Sequence, residues 1–169
     1  MMDHKAFPFD WVTFEREFLP TLERSLARND GLEIRDFITA QWRQLRDPYE
    51  GDPLAGNWRD ALDCGDIQLI ADYAITKYYN PSDEFGLGLH WMRIQSDLPE
   101  EGRVALLGTP LGPQHRRFDP GRMGSYFQSC SQLHKSVTAL DELEVPTLRQ
   151  YRESLRSCMR RELGTYVTF

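Results

Sequence analysis

Apolar residues recur at spacings of three and four from Asp10 onward. Trp11, Phe14, Phe18, Leu22 and Leu26 form one helical stripe. Asp10 is placed to cap this helix, and Asn29-Asp30-Gly31 to stop it. Pro20 is expected to kink it or divide it, because proline lacks the amide hydrogen that a helix interior uses. A second stripe follows in Ile34, Phe37, Ile38, Trp42 and Leu45, and the short link between the two predicts an antiparallel helical hairpin. Residues 47–65, rich in Pro, Gly and Asp, read as a loop with one helical turn from Trp58 to Leu62. Asp66 then caps a third helix with Ile67, Ile70, Ala71, Ala74 and Tyr78 inward, ended by Asn80-Pro81.

Beyond Pro81 the period changes. The runs FGLGLHWMRIQSDL (85–98) and RVALLGTPL (103–111) flank a polar stretch from Pro99 to Gly102 and predict a β-hairpin. Residues 108–129, GTPLGPQHRRFDPGRMGSYFQS, read as a loop feeding a helix from Ser125 to Ala139. A last helix starts near Pro146 and turns Leu148, Tyr151, Leu155, Cys158 and Met159 inward. The segment TYVTF (165–169) has strand propensity and is expected at a sheet edge, where it would be open to strand addition by another subunit. The sum is a helix-rich α+β fold in one globular domain over residues 1–169. Its expected parts are an N-terminal helical hairpin, a third helix, a short β-hairpin or small antiparallel sheet, and two C-terminal helices. No internal repeat or low-complexity tract interrupts it.

Composition narrows the class without changing that picture. Hydrophobic residues at 40% and charged residues at 27% suit a folded chain rather than a disordered one. No apolar run approaches the roughly 18 residues of a membrane span. The start, MMDHKAFPFDW, lacks the apolar core of a secretory signal. The three cysteines are odd in number and show no CxxC spacing, which favours reduced thiols over a disulfide framework. A cytoplasmic protein without membrane contact is the expectation.

Charge is more informative, because the net −6 is unevenly spread: residues 47–101 carry −9 and residues 102–169 carry +4. An acidic middle repels nucleic acid and steers a basic protein toward itself. Aromatics interleaved with those acids supply the anchors that interfaces use. The candidate partner-binding residues are therefore Tyr49, Glu50, Asp52, Trp58, Asp60, Asp63, Tyr79, Asp83 and Glu84. The resulting expectation is a protein-binding module, more narrowly a bacterial immunity-type protein that neutralises a basic toxin domain.

An alternative rests on the 112–125 loop. His115, Arg116, Arg117 and Arg122 bring positive charge to the expected helix start at Ser125. Free amide hydrogens there and the arginine forks suit a phosphate or carboxylate, as in an enzyme or ligand-binding domain. The common catalytic signatures are missing: no P-loop, no GxGxxG and no GxSxG elbow. Cys64 and His90 form no recognisable nucleophile pattern. Cys130 and His134 share a helix face but make only half a zinc site. Asp60, Asp63 and Asp66, three apart, do not follow an EF-hand pattern. No catalytic residue, metal or cofactor is assigned from the sequence.

Overall fold

The computed structural model describes residues 3–62 and 65–169. Its centre is a three-stranded antiparallel sheet made of β1 (Lys5–Phe9), β2 (Ser125–Gln128) and β3 (Gly164–Thr168), in the spatial order β1-β3-β2. Tyr166 of β3 stands opposite Phe7 on one side and Phe127 on the other. Alternation then sends Phe7, Phe9, Phe127 and Tyr166 to one face of the sheet, and Ala6 and Val167 to the other. Each face meets its own helical layer. The helix-rich α+β class is thus observed, with the sheet as the middle of three layers.

The first layer follows the sequence pattern closely. The stripe from Trp11 divides into α1 (Trp11–Glu17) and α2 (Leu19–Arg28), with Pro20 in the first turn of the second piece. The Oδ1 of Asp10 accepts the Thr13 amide at 3.1 Å, and Asn29 ends α2 in the left-handed conformation. α3 (Leu32–Gln41), the short α4 (Trp58–Ala61) and α5 (Ile67–Ile75) complete the layer. Asp66 caps α5 by accepting the Gln68 amide at 2.9 Å. Phe14, Phe18, Leu22, Leu26, Ile34, Ile38 and Ile70 pack beneath the aromatic face of the sheet.

The second layer overturns several expectations. Residues 85–98 and 103–111 form no hairpin. They supply α6 (Trp91–Asp97) and α7 (Glu100–Leu107), whose Trp91, Ile94, Leu98, Ala105 and Leu106 are buried. Spacings of three and four among these residues fit a helix, and the glycines at 86 and 88 belong to the connection ahead of it. Ser125 does not start a helix; it opens β2, and α8 (Cys130–Glu142) begins after Ser129. Ser129 and Gln132 form a reciprocal capping box, which fixes the true start. α9 (Arg149–Arg160) follows a 3-10 turn at Pro146–Leu148. The predicted edge strand at TYVTF is the central strand, paired on both sides, and so leaves no edge for strand addition.

The outer strands are themselves covered. Residues 85–88 run beside β1: Phe85 donates to the Ala6 carbonyl at 2.9 Å, and Gly88 exchanges backbone hydrogen bonds with His4 at 3.0 and 3.2 Å. The approach is so close that a Cβ on Gly86 would lie 2.0 Å from the His4 carbonyl oxygen. Thr109 does the same for β2, pairing with Phe127. Among the described residues, no helix is long and apolar enough to cross a membrane.

Candidate functional site

The turn at 47–50 is built by Asp47. Its Oδ1 accepts the amides of Tyr49 and Glu50 at 2.7 and 2.9 Å, and its Oδ2 accepts the Tyr73 hydroxyl at 2.9 Å. Burial alone would raise its pKa, but these three donors outweigh burial and hold the carboxyl below its ordinary range. The 47–53 loop lies against the turn at Pro81–Asp83, since the Cβ position of Gly51 is within 4 Å of Pro81 and Ser82. Tyr49, Glu50 and Asp52 thereby join Asp83 and Glu84 on neighbouring exposed loops. Among the described residues, none of these carboxylates enters an ion pair.

Between the loops and the sheet lies a cleft of about 110 Å³, walled by Tyr49, Tyr79, Tyr166, Pro81 and Pro120 and bordered by Lys5, Glu84 and Gly121. Asp72 of α5 faces into it. The residue is only 5% exposed, its carboxyl opening on the cleft, and among the described residues that carboxyl has neither a hydrogen-bond donor nor a cation partner. Burial, reinforced by the negative charge of Asp47, pushes its pKa up to about 7. The same burial raises the Tyr79 and Tyr166 hydroxyls, so both stay protonated donors. Tyr49 is the opposite in placement: 70% exposed, its ring stands at the mouth. An aromatic-walled cleft holding one unsatisfied acid can receive a small cationic or hydrogen-bond-donating group.

Three of the sequence candidates line this cleft, Tyr49, Tyr79 and Glu84, while Glu50, Asp52 and Asp83 stand on the loops around it. Trp58 does not contribute surface. It is 3% exposed and packed in the first core, with the Arg59 guanidinium 4.6 Å above its ring. Asp60 is exposed on α4 and outside the cleft lining, and Asp63 and Cys64 lie outside the described residues. The sequence reading missed Asp72, Asp47 and Tyr166. For Asp72 a signal existed: in IQLIADYAI apolar residues fall all round the helix, and an acid within such a helix is buried whichever way it turns.

The basic loop forms a separate groove of about 450 Å³ lined by His115, Arg116, Arg117 and Arg122 together with Asp66 and Asp119. Two of its guanidinium groups serve the chain itself: Arg116 donates to the Leu26 carbonyl at 2.9 Å, and Arg117 donates to the Gly112 carbonyl. Ser125 is buried in β2 and does not reach the groove. No helix N-terminus faces this loop at residue 125, because α8 starts five residues later.

A larger cleft, about 720 Å³, opens between residues 84–90, α6 and the start of α9, with Phe85, Leu87, Ile94, Leu98 and Tyr151 on its floor. Its charged groups, Glu84, Arg93 and Asp97, are exposed and of mixed sign, so volume is its main asset. Among the described residues, no group of three or more His, Cys, Asp or Glu side chains is placed to hold a metal ion. Cys130 is half-buried with its thiol 4.0 Å from the Met159 carbonyl, and Cys158 is buried, which pushes its pKa up to about 11. Comparison of the chain with protein-family models, curated proteins and solved structures finds no match in any of the three.

Proposed function

We propose that this chain is a binding module for a basic protein, of the kind that neutralises a toxin domain by covering it. The observation that supports this is the acidic face at residues 47–53 and 80–84, where Glu50, Asp52, Asp83 and Glu84 stand exposed around the aromatic cleft, with no ion-pair partner among the described residues. Unpaired surface carboxylates raise the association rate with a basic surface, and an exposed tyrosine at their centre supplies an anchor. The test is affinity capture from the native host with the whole chain as bait, beside the triple variant Glu50→Lys, Asp52→Lys, Asp83→Lys. A stoichiometric basic protein is expected, lost to the variant and released as salt rises past the range in which surface charges are screened. Absence of any stoichiometric partner, or equal retention by the variant, overturns the proposal.

A second reading is favoured by one observation: His115, Arg116, Arg117 and Arg122 do line a single groove. It would take a phosphate or carboxylate, as an enzyme or ligand-binding domain does. Titration with inorganic phosphate tests it. Saturable shifts of the His115 and Arg122 resonances support it, and a response no different from that to chloride sinks it.

A further inference from the structure

We propose that the cleft at Asp72 is a receptor for one arginine side chain projecting from the surface of a partner protein, with Asp72 as its buried counter-ion. The inference deepens the basic-partner reading and rests on it for the source of the arginine.

A cleft of about 110 Å³ is roughly the space of three or four waters, which suits one side-chain head group and excludes a nucleotide or a peptide backbone. Chemistry then selects the head group. Asp72 is 5% exposed, faces the cleft, and lacks any donor among the described residues. A buried carboxylate in that state is costly, and the cost is relieved by a ligand that brings charge and N–H groups together. Tyr49 brings an open aromatic ring to the wall, and Tyr79, Tyr166, Pro81 and Pro120 complete the lining, the Tyr166 ring itself being stacked between Phe7 and Phe127. A flat aromatic wall suits a planar guanidinium, which stacks on the ring while donating in its own plane. A compact, strongly hydrated ammonium gains less from it. Outside the mouth, Glu50, Asp52 and Asp83 continue the negative field, so an arginine is drawn in and its backbone kept on a basic surface.

Occupancy should be linked to protonation. The charged groups around Asp72 are Asp47 from the 46–53 loop, Glu84 from the segment after α5 and Lys5 from β1. The titratable hydroxyls of Tyr49, Tyr79 and Tyr166 complete the wall. With the carboxyl pushed up to about 7, part of the population is neutral near neutral pH. A guanidinium binds the ionised form, so binding expels a proton and tightens as pH rises from 6 to 8.

The experiment uses methylguanidinium as the probe and the full chain, followed by NMR at pH 6 and pH 8. Saturable shifts confined to Tyr49, Tyr79, Tyr166 and their neighbours are expected, with apparent affinity several-fold higher at pH 8. Asp72→Asn should lose at least tenfold of that affinity and the pH dependence with it. Tyr49→Ala, at an exposed position that leaves the core intact, should lose a smaller factor and keep the pH dependence. Shifts scattered over the surface, or equal binding by Asp72→Asn, overturn the inference. The two proposals separate cleanly. A basic partner that binds Asp72→Asn as well as it binds the parent leaves the partner reading standing and removes the arginine receptor. Probe binding at the cleft with no basic partner recovered does the reverse.

Discussion

At Asp72 the cost of ionisation can be put in numbers. A carboxyl whose pKa stands at about 7 instead of 3.8 gives up roughly 4 kcal/mol of folding stability once the folded form is charged. The folded state holds the proton more tightly than the unfolded one, so this stability is present below pH 3.8 and is lost as pH rises through 7. Asp72→Asn removes the charge and keeps the shape, and should gain about 2 kcal/mol at pH 8, where the remaining cost is an amide with few partners. Thermal melting is expected to rise by several degrees at pH 8 and to change little at pH 4. A fall at pH 8 would mean that the carboxylate is already compensated. Side chains retained at such expense are more often found at sites that bind or react than in ordinary cores. Neighbouring Asp47 shows the contrast. It is also partly buried, but two amides and one hydroxyl satisfy it and its pKa goes down.

At the scale of elements, α1, α2, α3 and α5 were legible because each carries an apolar stripe, and α2 and α5 have recognisable caps or stops as well. Of the strands, β3 is legible as the β-prone TYVTF run, though not its central place, and β1 and β2 are hidden for a physical reason. They are five and four residues long and bury side chains on both faces, so no alternation of polar and apolar positions marks them. Pro8 disguised β1 further, although proline is tolerated on an edge strand, which is where it sits opposite Thr165. α6 reads as a strand in the sequence because Gly86 and Gly88 border its apolar run, and glycines beside short apolar runs also mark turns. The candidate site was half legible. Its exposed loops showed as acidic and aromatic composition, but their meeting across the 47–53 and 80–84 segments is a tertiary fact that no local pattern carries. Gly86→Ala tests the element that covers β1. The added methyl would fall 2.0 Å from the His4 carbonyl and 2.7 Å from the Lys5 Cα, both backbone atoms that cannot step aside. Residues 85–88 must then lift, with an expected loss of about 3 kcal/mol in urea unfolding and a red-shifted Trp91 emission. An unchanged midpoint would show that this segment is not held against β1.

Across the whole molecule, Asp72 has a counterpart at the far face of the sheet. His4 is fully buried against the Trp91, Tyr151 and Phe169 rings. Its Nδ1 accepts the Leu87 amide at 3.2 Å, so the imidazole proton resides on Nε2, which finds no acceptor among the described residues. Burial lowers its pKa from 6.5 to about 4. Here the unfolded state takes the proton first, so stability is present above pH 6.5 and is lost as pH falls toward 4. The two buried groups therefore act over nearly the same pH range with opposite signs, each worth about 1.4 kcal/mol per pH unit, and in the parent they largely cancel. Removing either exposes the other. Relative to the parent, His4→Gln should lose stability with rising pH between 4.5 and 6.5, and Asp72→Asn should gain it; chemical unfolding at four pH values reads both slopes. Parallel slopes would show that at least one of the groups does not titrate in this range. The strand order adds a constraint of a different kind, set by the order of synthesis. β1 and β2 never touch each other, and both wait for β3, which follows them in the chain. The wall shared by the two cores cannot exist until that strand has been made. Assembly of the sheet thus begins with its last strand to be synthesised and must join residues about 160 positions apart, a slow closure of the longest loop the fold contains.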